Sequence, residues 1–262
     1  MATLLTRAIG KGRRLTAAKL VRRPLTIASA APLVSFTFDD APASAYESGA
    51  ALLEAQGTRG TFYVSLGLMG TTSELGPIGT ADHLRRVHAN GHELGCHTYD
   101  HLDAWACSAG EYIASVDRNR AALAMLLPQA RFRSFAYPKN GAHVAVKSQL
   151  QRRFDCCRGG GQDVNRGIVD LNLLGAVFLD RRARISLDDV RALVQRNAQQ
   201  RGWLIFAAHD ISDGGGDFSC SPAFFAEVVR EVQASGANVL PVAEACRRLT
   251  SHGSAALAPR TA

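Results

Sequence analysis

At 262 residues the chain is long enough for one large α/β domain or two small ones, with a core that needs no covalent staples. Its 47% hydrophobic and 20% charged content is that of a soluble globular protein. The formal net charge of +7 raises nucleic acid, anionic lipid or an acidic polymer as partner, but much of the excess is local: Arg7, Lys11, Arg13, Arg14, Lys19, Arg22 and Arg23 crowd the first 23 residues without an acid among them. No aromatic-interleaved basic stripe and no helix-turn-helix or finger spacing follows, which excludes a nucleic-acid role.

The N-terminal stretch, residues 1–32, reads as a basic arm. It lacks the uninterrupted apolar core of a secretory signal, although Ala28-Ser29-Ala30 has the look of a cleavage site and the paired arginines that of a twin-arginine signal. Weakly amphipathic and basic, it is either a solvated arm or a peripheral contact with an anionic membrane surface. No run approaches the ~20 apolar residues that crossing a bilayer requires.

Leu33–Phe38, LVSFTF, then reads as a buried strand that runs straight into Asp39 and Asp40, with Pro42 to end it. Two readings stand here: a polar strand-end turn with an Asx-type bond, or a pair of acids with a task. Residues 44–56 carry helical spacing and stop at Gly57, and Thr61–Leu66 reads as the next strand. Residues 67–80 read as loop, 82–89 as a short basic helix, and 92–96 as a brief strand followed at once by His97. A capping box at Ser108 and Glu111 opens a helix to about Leu127; residues 132–137 are strand-like before Pro138, and a helix spans about 142–153.

Short extended pieces at 154–157 and 176–179 flank the glycine turn at 159–161, and a helix opens at Ser186. Trp203–Ala208, WLIFAA, is the clearest buried strand and ends in His209-Asp210. A helix from Ser221-Pro222 and a strand at 237–240 follow, and residues 251–262 read as a disordered tail. Alternation of strands and helices predicts parallel pairing with helices outside, in one domain from 33 to 250. Six cysteines without CxxC or regular spacing read as reduced, mostly buried thiols of a cytosolic protein.

Four strands thus end at chemically able residues: Asp39-Asp40, His97, Pro138-Lys139 and His209. In parallel α/β folds such ends converge on one mouth. His97 and His101, spaced His-x3-His, would share one face of a helical turn, and a carboxylate from another strand end would complete a three-ligand metal site. Residue 98 is not Glu, so any base must come from elsewhere.

These motifs, T-F-D-D at 37–40, H-T-Y-D-H at 97–101, F-A-Y-P at 135–138 and the late strand ending in His209, resemble in order and approximate spacing those of the NodB-type polysaccharide deacetylases, carbohydrate esterase family four. Within that family the chain most resembles cytoplasmic deacetylases of bacterial exopolysaccharide clusters, such as the holdfast deacetylase. The resemblance covers about residues 33–248 and implies a distorted (β/α) barrel of the NodB type.

It also implies a divalent metal, zinc first, with cobalt, nickel or manganese as alternatives, held by Asp40, His97 and His101. Asp39 would then be the general base and His209 the general acid. Asp210, next in sequence, could support the imidazolium, and the backbone N–H of Lys139 would face the oxyanion. The implied activity is removal of acetyl from N-acetylglucosamine-type residues of a polysaccharide or its lipid-linked precursor, in the cytoplasm. The alternatives are a metal amidohydrolase on a small non-sugar amide and a catalytically silent carbohydrate-binding protein.

The chain departs from the family's R-P-P-Y pattern: Ala136 stands where the arginine would be and Lys139 where the tyrosine would be, and the later tryptophan motif is not apparent. Arg166 is the compensating cation expected to orient Asp39, with Arg133 and Arg184 as alternatives.

Overall fold

The structure of the protein is a computed structural model that describes residues 12–13, 15–214 and 216–255. Its centre is an eight-stranded sheet in which every pairing is parallel. In chain order the strands and helices are β1 (Pro24–Thr26), β2 (Leu33–Phe38), α1 (Ala50–Ala55, entered through a π-helical turn at Ala45–Gly49), β3 (Thr61–Val64) and α2 (Ala81–Ala89). After these come β4 (Glu93–Cys96), α3 (Ala109–Leu126), β5 (Ser134–Ala136), α4 (Val144–Leu150), β6 (Cys156–Arg158), β7 (Ile168–Asp170) and β8 (Val177–Phe178). The last are α5 (Leu187–Gln200), β9 (Trp203–Ala208), α6 (Pro222–Ala234), β10 (Asn238–Val239) and α7 (Val242–Ala255).

The sheet runs β8-β9-β2-β3-β4-β5-β6. β10 pairs with Leu33 and Val34 of β2, on the stretch that β3, paired with Thr37 and Phe38, leaves open. The result is a curled parallel sheet, an incompletely closed barrel of the NodB kind, as the resemblance implied. β2 and β9 occupy its centre, and all twelve of their residues are buried, which explains why they read as continuous apolar runs rather than alternating ones. On one face Val34, Phe36, Phe38, Leu204 and Phe206 join the larger core; on the other Leu33, Trp203, Ile205 and Ala207 meet α7 through Val242, Ala245 and Leu249. Phe36 stacks on Phe206 at 5.6 Å between ring centroids and Phe38 on Phe62 at 4.7 Å.

The caps read from the sequence are present: Ser108 and Glu111 bond reciprocally at the start of α3, and Ser186 and Asp189 do so at α5. Several elements differ from expectation. The segment 67–80 holds a small hairpin, Thr72–Ser73 on Gly76–Pro77, within what read as plain loop. α7 begins at Val242, where no element was expected, and carries residues 251–255 into helix; 256–262 lie outside the described residues.

The basic arm is the largest correction. β1 pairs antiparallel with β7, and residues 15–19 are helical, with Ala17 buried. The fully buried Lys147 donates from Nζ to the carbonyls of Ala17 (2.6 Å) and Leu20 (3.0 Å) and to Asp170 Oδ2 (2.8 Å). Arg23 reaches the carbonyls of Gln151, Phe154 and Asp155. From residue 15 onward this stretch is therefore packed on the barrel, because charges that look free in one dimension meet buried carbonyls and a carboxylate in three. Arg7, Lys11 and Arg14 lie outside the described residues, and the expected membrane contact rests in part on them. Among the described residues no helix is long and apolar enough to cross a membrane.

Removing one member of a buried ion pair leaves the other charge uncompensated. Lys147→Met is accordingly expected to lower the unfolding free energy by about 3–5 kcal/mol in urea denaturation. A change below about 1 kcal/mol would mean that the lysine does not hold the N-terminal segment.

Candidate metal centre and acid–base pairs

Every strand from β2 through β6, and β8 and β9, points its carboxyl end at one side of the sheet, and the site is assembled there. β2 delivers Asp39 and Asp40, β4 His97, β5 the turn at Tyr137–Asn140, β6 Arg158, β8 Asp180 two residues on, and β9 His209. Asp39, Asp40, His97, His101, Lys139 and His209 line one cavity of about 320 Å³.

The turns that aim these side chains are strained. Of the ten non-glycine residues with positive φ among the described residues, six sit here: Asp40 (57°), Ala41 (48°), Thr98 (61°), His101 (53°), Lys139 (55°) and Asn140 (55°). Such residues cost ~1–3 kcal/mol each and persist where their surroundings over-determine them. At Asp39-Asp40 the left-handed turn changes the chain direction, which lets neighbouring acids face one cavity instead of opposite faces of a strand.

His97 and His101 do not ride on a helix, contrary to the sequence expectation. Residues 97–103 form a loop whose backbone is tied by side chains: Ser115 Oγ accepts from the N–H groups of Tyr99 and Asp100, and Thr98 Oγ1 from that of Leu102. The loop nevertheless brings the two imidazoles together, with ring centroids 5.1 Å apart.

Asp40 Oδ1 lies 3.4 Å from His97 Nε2 and 3.1 Å from His101 Nε2. Ligand bonds of ~2.0–2.1 Å in a tetrahedron place donor atoms about 3.3 Å apart, so the trio is spaced for one cation. Three further observations fit a metal. Asp40 Oδ1 is buried without a hydrogen-bond partner. His97 Nδ1–H donates to the Ala136 carbonyl (2.8 Å), which turns the Nε2 lone pair to the cavity. Burial also lowers the His97 pKa to about 4 and, with the Lys139 charge, lowers that of His101, so both rings are neutral ligands. Asp40 itself is raised, chiefly by burial and also by Asp39, against the pull of His97 and His209. Asp40, His97 and His101 form the only such trio among the described residues.

Asp39 is treated oppositely. Burial alone would raise it, but the Arg158 guanidinium, helped by His97 and His209, outweighs burial and holds the carboxyl below its ordinary value. Arg158 is fully buried, bonds Asp39 Oδ1 through Nη2, and lies over the rings of Tyr63 (5.1 Å) and Phe178 (5.7 Å). This corrects the expected Arg166, which is half exposed and faces only Asp163, at 4.0 Å. Of the alternatives, Arg133 pairs with Asp155 outside the site, and Arg184 is exposed. A signal for Arg158 was present: it directly follows the extended piece at 154–157, at the strand end that the convergence rule singles out.

His209 is buried, and its Nδ1 meets Asp180 Oδ2 at 3.0 Å. Burial would lower its pKa, yet the Asp180 bond and charge, with Asp39 and Asp40, raise it. Asp210, the neighbour expected to do this, instead accepts from the hydroxyls of Ser44, Ser212 and Ser219. Asp180 lies two residues beyond β8 and 29 residues before His209, and no spacing rule linked the two.

Residues 27–153 match the family model described as polysaccharide deacetylase. Over this segment, just under half of the chain, the sequence is similar to polysaccharide deacetylases. The family is one of hydrolases, and the matched stretch carries Asp39, Asp40, His97, His101 and Lys139; Arg158, Asp180 and His209 lie beyond it.

Among solved structures, the chain is similar to the chitin deacetylase of the fungal pathogen Colletotrichum lindemuthianum, at 20% identity and TM-score 0.60 over 85% of this chain and 89% of that one. It is also similar to a peptidoglycan deacetylase of Bacillus subtilis, at 17% and 0.59 over 87% and 95%. A third is a carbohydrate esterase family 4 pseudoenzyme of Bacillus anthracis, at 15% and 0.58 over 83% and 66%. At these identities the likeness is one of fold. No curated protein sequence matches the chain.

The trio is expected to bind one divalent cation per chain, measured by elemental analysis after dialysis against zinc. His101→Ala should weaken zinc affinity by roughly 100-fold or more in competition titration; unchanged affinity would place the metal elsewhere.

Proposed function

We propose that the protein is a metal-dependent N-deacetylase that removes acetyl groups from N-acetylglucosamine-type residues of a bacterial exopolysaccharide or its lipid-linked precursor, in the cytoplasm and with zinc as the metal. One observation carries this reading: a single cavity holds a cation-ready trio flanked by a carboxylate that Arg158 holds below its ordinary pKa and an imidazole whose pKa Asp180 raises. Amide hydrolysis needs a base and an acid together, since the attacking water must lose a proton and the amine, a poor leaving group, must gain one.

Asp40, His97 and His101 would hold a divalent cation, which when bound would polarise the acetyl carbonyl and lower the pKa of water. Asp39 takes the proton of the attacking water at its carboxylate. Arg158 positions that carboxylate and keeps it ionised, so the acid is free at neutral pH. His209, whose imidazolium form the Asp180 carboxylate favours, gives its proton to the leaving nitrogen. The backbone N–H of Lys139, in the left-handed turn after Pro138, is assigned to the acetyl oxygen.

Support for the sugar comes from the relatives, one described as acting on chitin and another on peptidoglycan. Support for the cytoplasm comes from six free cysteines, five of them buried, as expected of a reducing compartment. The resemblance to exopolysaccharide deacetylases narrows the polymer. Arg158 speaks against the catalytically silent reading, because it restores the charge that the altered third motif lacks.

The test is acetate release from N-acetylglucosamine oligomers by the zinc-loaded protein. Asp39→Asn is expected to reduce kcat by about 100-fold or more, and a rate equal to wild type would sink the assigned base. Bound zinc without acetate release would favour a small-amide hydrolase, and no metal a silent binding protein.

The pH profile has a definite sign. His209 works only when protonated, so activity falls as pH rises through its raised pKa; Asp180→Asn removes what raises it and should carry the alkaline limb about 1–3 units to lower pH. An unmoved alkaline limb would take Asp180 and His209 out of the acid step.

A further inference from the structure

Asp180 lines a second cavity, of about 340 Å³, while its partner His209 lines the metal cavity. The residues that follow Asp180 serve both spaces: Arg181 and Arg184 line the second cavity and Arg182 the metal cavity. They are carried on a single turn of 3-10 helix, Arg181–Ala183, that its backbone holds in place. The Arg182 N–H donates to the Asp217 carbonyl (2.9 Å), and the N–H groups of Ala183 and Arg184 donate to the carbonyls of Asp180 (2.8 Å) and Arg181 (3.1 Å). All three arginines lie beyond the stretch 27–153 that matches the family model.

Their charges are not spent within the protein. Arg118, Arg153 and Arg191 each meet a carboxylate, but among the described residues Arg181, Arg182 and Arg184 have neither an ion pair nor a side-chain hydrogen bond. Arg182 is held instead by an aromatic face: its guanidinium lies 4.2 Å from the centroid of the Phe218 ring, which meets His209 edge-on at 5.2 Å. Three planar forks suited to phosphate or carboxylate therefore stand on the rim between two cavities. The acids that line the second cavity are Asp180, already matched to His209, and the exposed Asp213. Two further groups there are open to a ligand. Ser221 Oγ accepts from the Phe224 N–H (3.2 Å) and keeps its own hydrogen to donate. Asp180 Oδ1 is buried without a hydrogen-bond partner and can accept from a hydroxyl.

We infer that Arg181, Arg182 and Arg184 bind an acidic group, phosphate or carboxylate, carried by the N-acetylated sugar that the metal cavity receives, so that the substrate is an anionic rather than a neutral saccharide. His209 faces the leaving nitrogen, so the turn beside it meets the sugar and not the acetyl group. The inference rests on the deacetylase reading, and a direct binding measurement separates the two.

The test compares N-acetylglucosamine, its 1-phosphate and N-acetylglucosaminuronic acid on the zinc-loaded protein, by calorimetric titration and by acetate release. At least one acidic sugar is expected to bind more tightly than the neutral one and to exceed it in kcat/KM by about tenfold or more. That preference should shrink as salt is raised. Arg182→Gln, and Arg181→Gln combined with Arg184→Gln, should each lower the acidic-to-neutral ratio of kcat/KM by about fivefold or more, with circular dichroism checking that the variants are folded. Preference for the phosphate assigns a sugar phosphate and preference for the carboxylate a uronic acid, and either upholds the site. Equal affinity and kcat/KM for all three sugars, or a ratio unchanged in both folded variants, would overturn the inference while leaving the deacetylase reading intact. Arginine-dependent affinity for an acidic sugar without acetate release from any of the three would uphold the anion site and overturn that reading.

Discussion

The buried contact between Arg158 and Asp39 is the interaction on which the rest of the site depends. Two adjacent acids of one turn face a single cavity, and without a fixed cation at least one of them would hold a proton. Arg158 removes that ambiguity for Asp39 and leaves Asp40 to find its counter-charge among the histidines and a metal. Desolvating such a pair is costly, so it contributes little to stability by itself. Its effect is on protonation, where a low dielectric makes one well-placed guanidinium decisive. The rings of Tyr63 and Phe178 keep water from the contact and hold the planar group in place.

The same cavity uses burial in both directions. At His97 it strips the proton and leaves a ligand; at His209 it is overcome by Asp180, and the pKa rises instead. Two histidines of identical intrinsic chemistry are set to opposite tasks by one hydrogen bond each, a carbonyl in the first case and a carboxylate in the second. The parallel sheet makes this possible by bringing seven strand ends to one side, and the left-handed turns convert those ends into aimed side chains. Strain therefore concentrates where geometry must be held.

The N-terminal segment shows how charge composition misleads. Seven basic residues without an acid look like an arm for an anionic surface. Yet Arg23 spends its guanidinium on carbonyls of the α4–β6 connection, and Lys147, on the barrel side, is the cation that binds the segment down. A helix end offers unpaired carbonyls, and a buried lysine between such carbonyls and Asp170 is a satisfied one.

What the sequence by itself determined are features that repeat locally or lie within one turn: the buried runs of β2 and β9, the caps of α3 and α5, the alternation that demands parallel pairing, and the strand-end positions of Asp39, Asp40, His97, Lys139 and His209. Hydrophobic continuity and capping are encoded in neighbours, and a parallel sheet then forces strand ends together. Only the tertiary structure decided the partners. Arg158 in place of Arg166, Asp180 in place of Asp210, and Lys147 under the N-terminal segment are pairings across 119, 29 and 130 residues. They depend on which strands adjoin and how a glycine turn aims the chain. A side chain's charge is visible in the sequence, but its counter-charge is set by distance in space, and electrostatic energy at a few ångströms is what assigns each group its role.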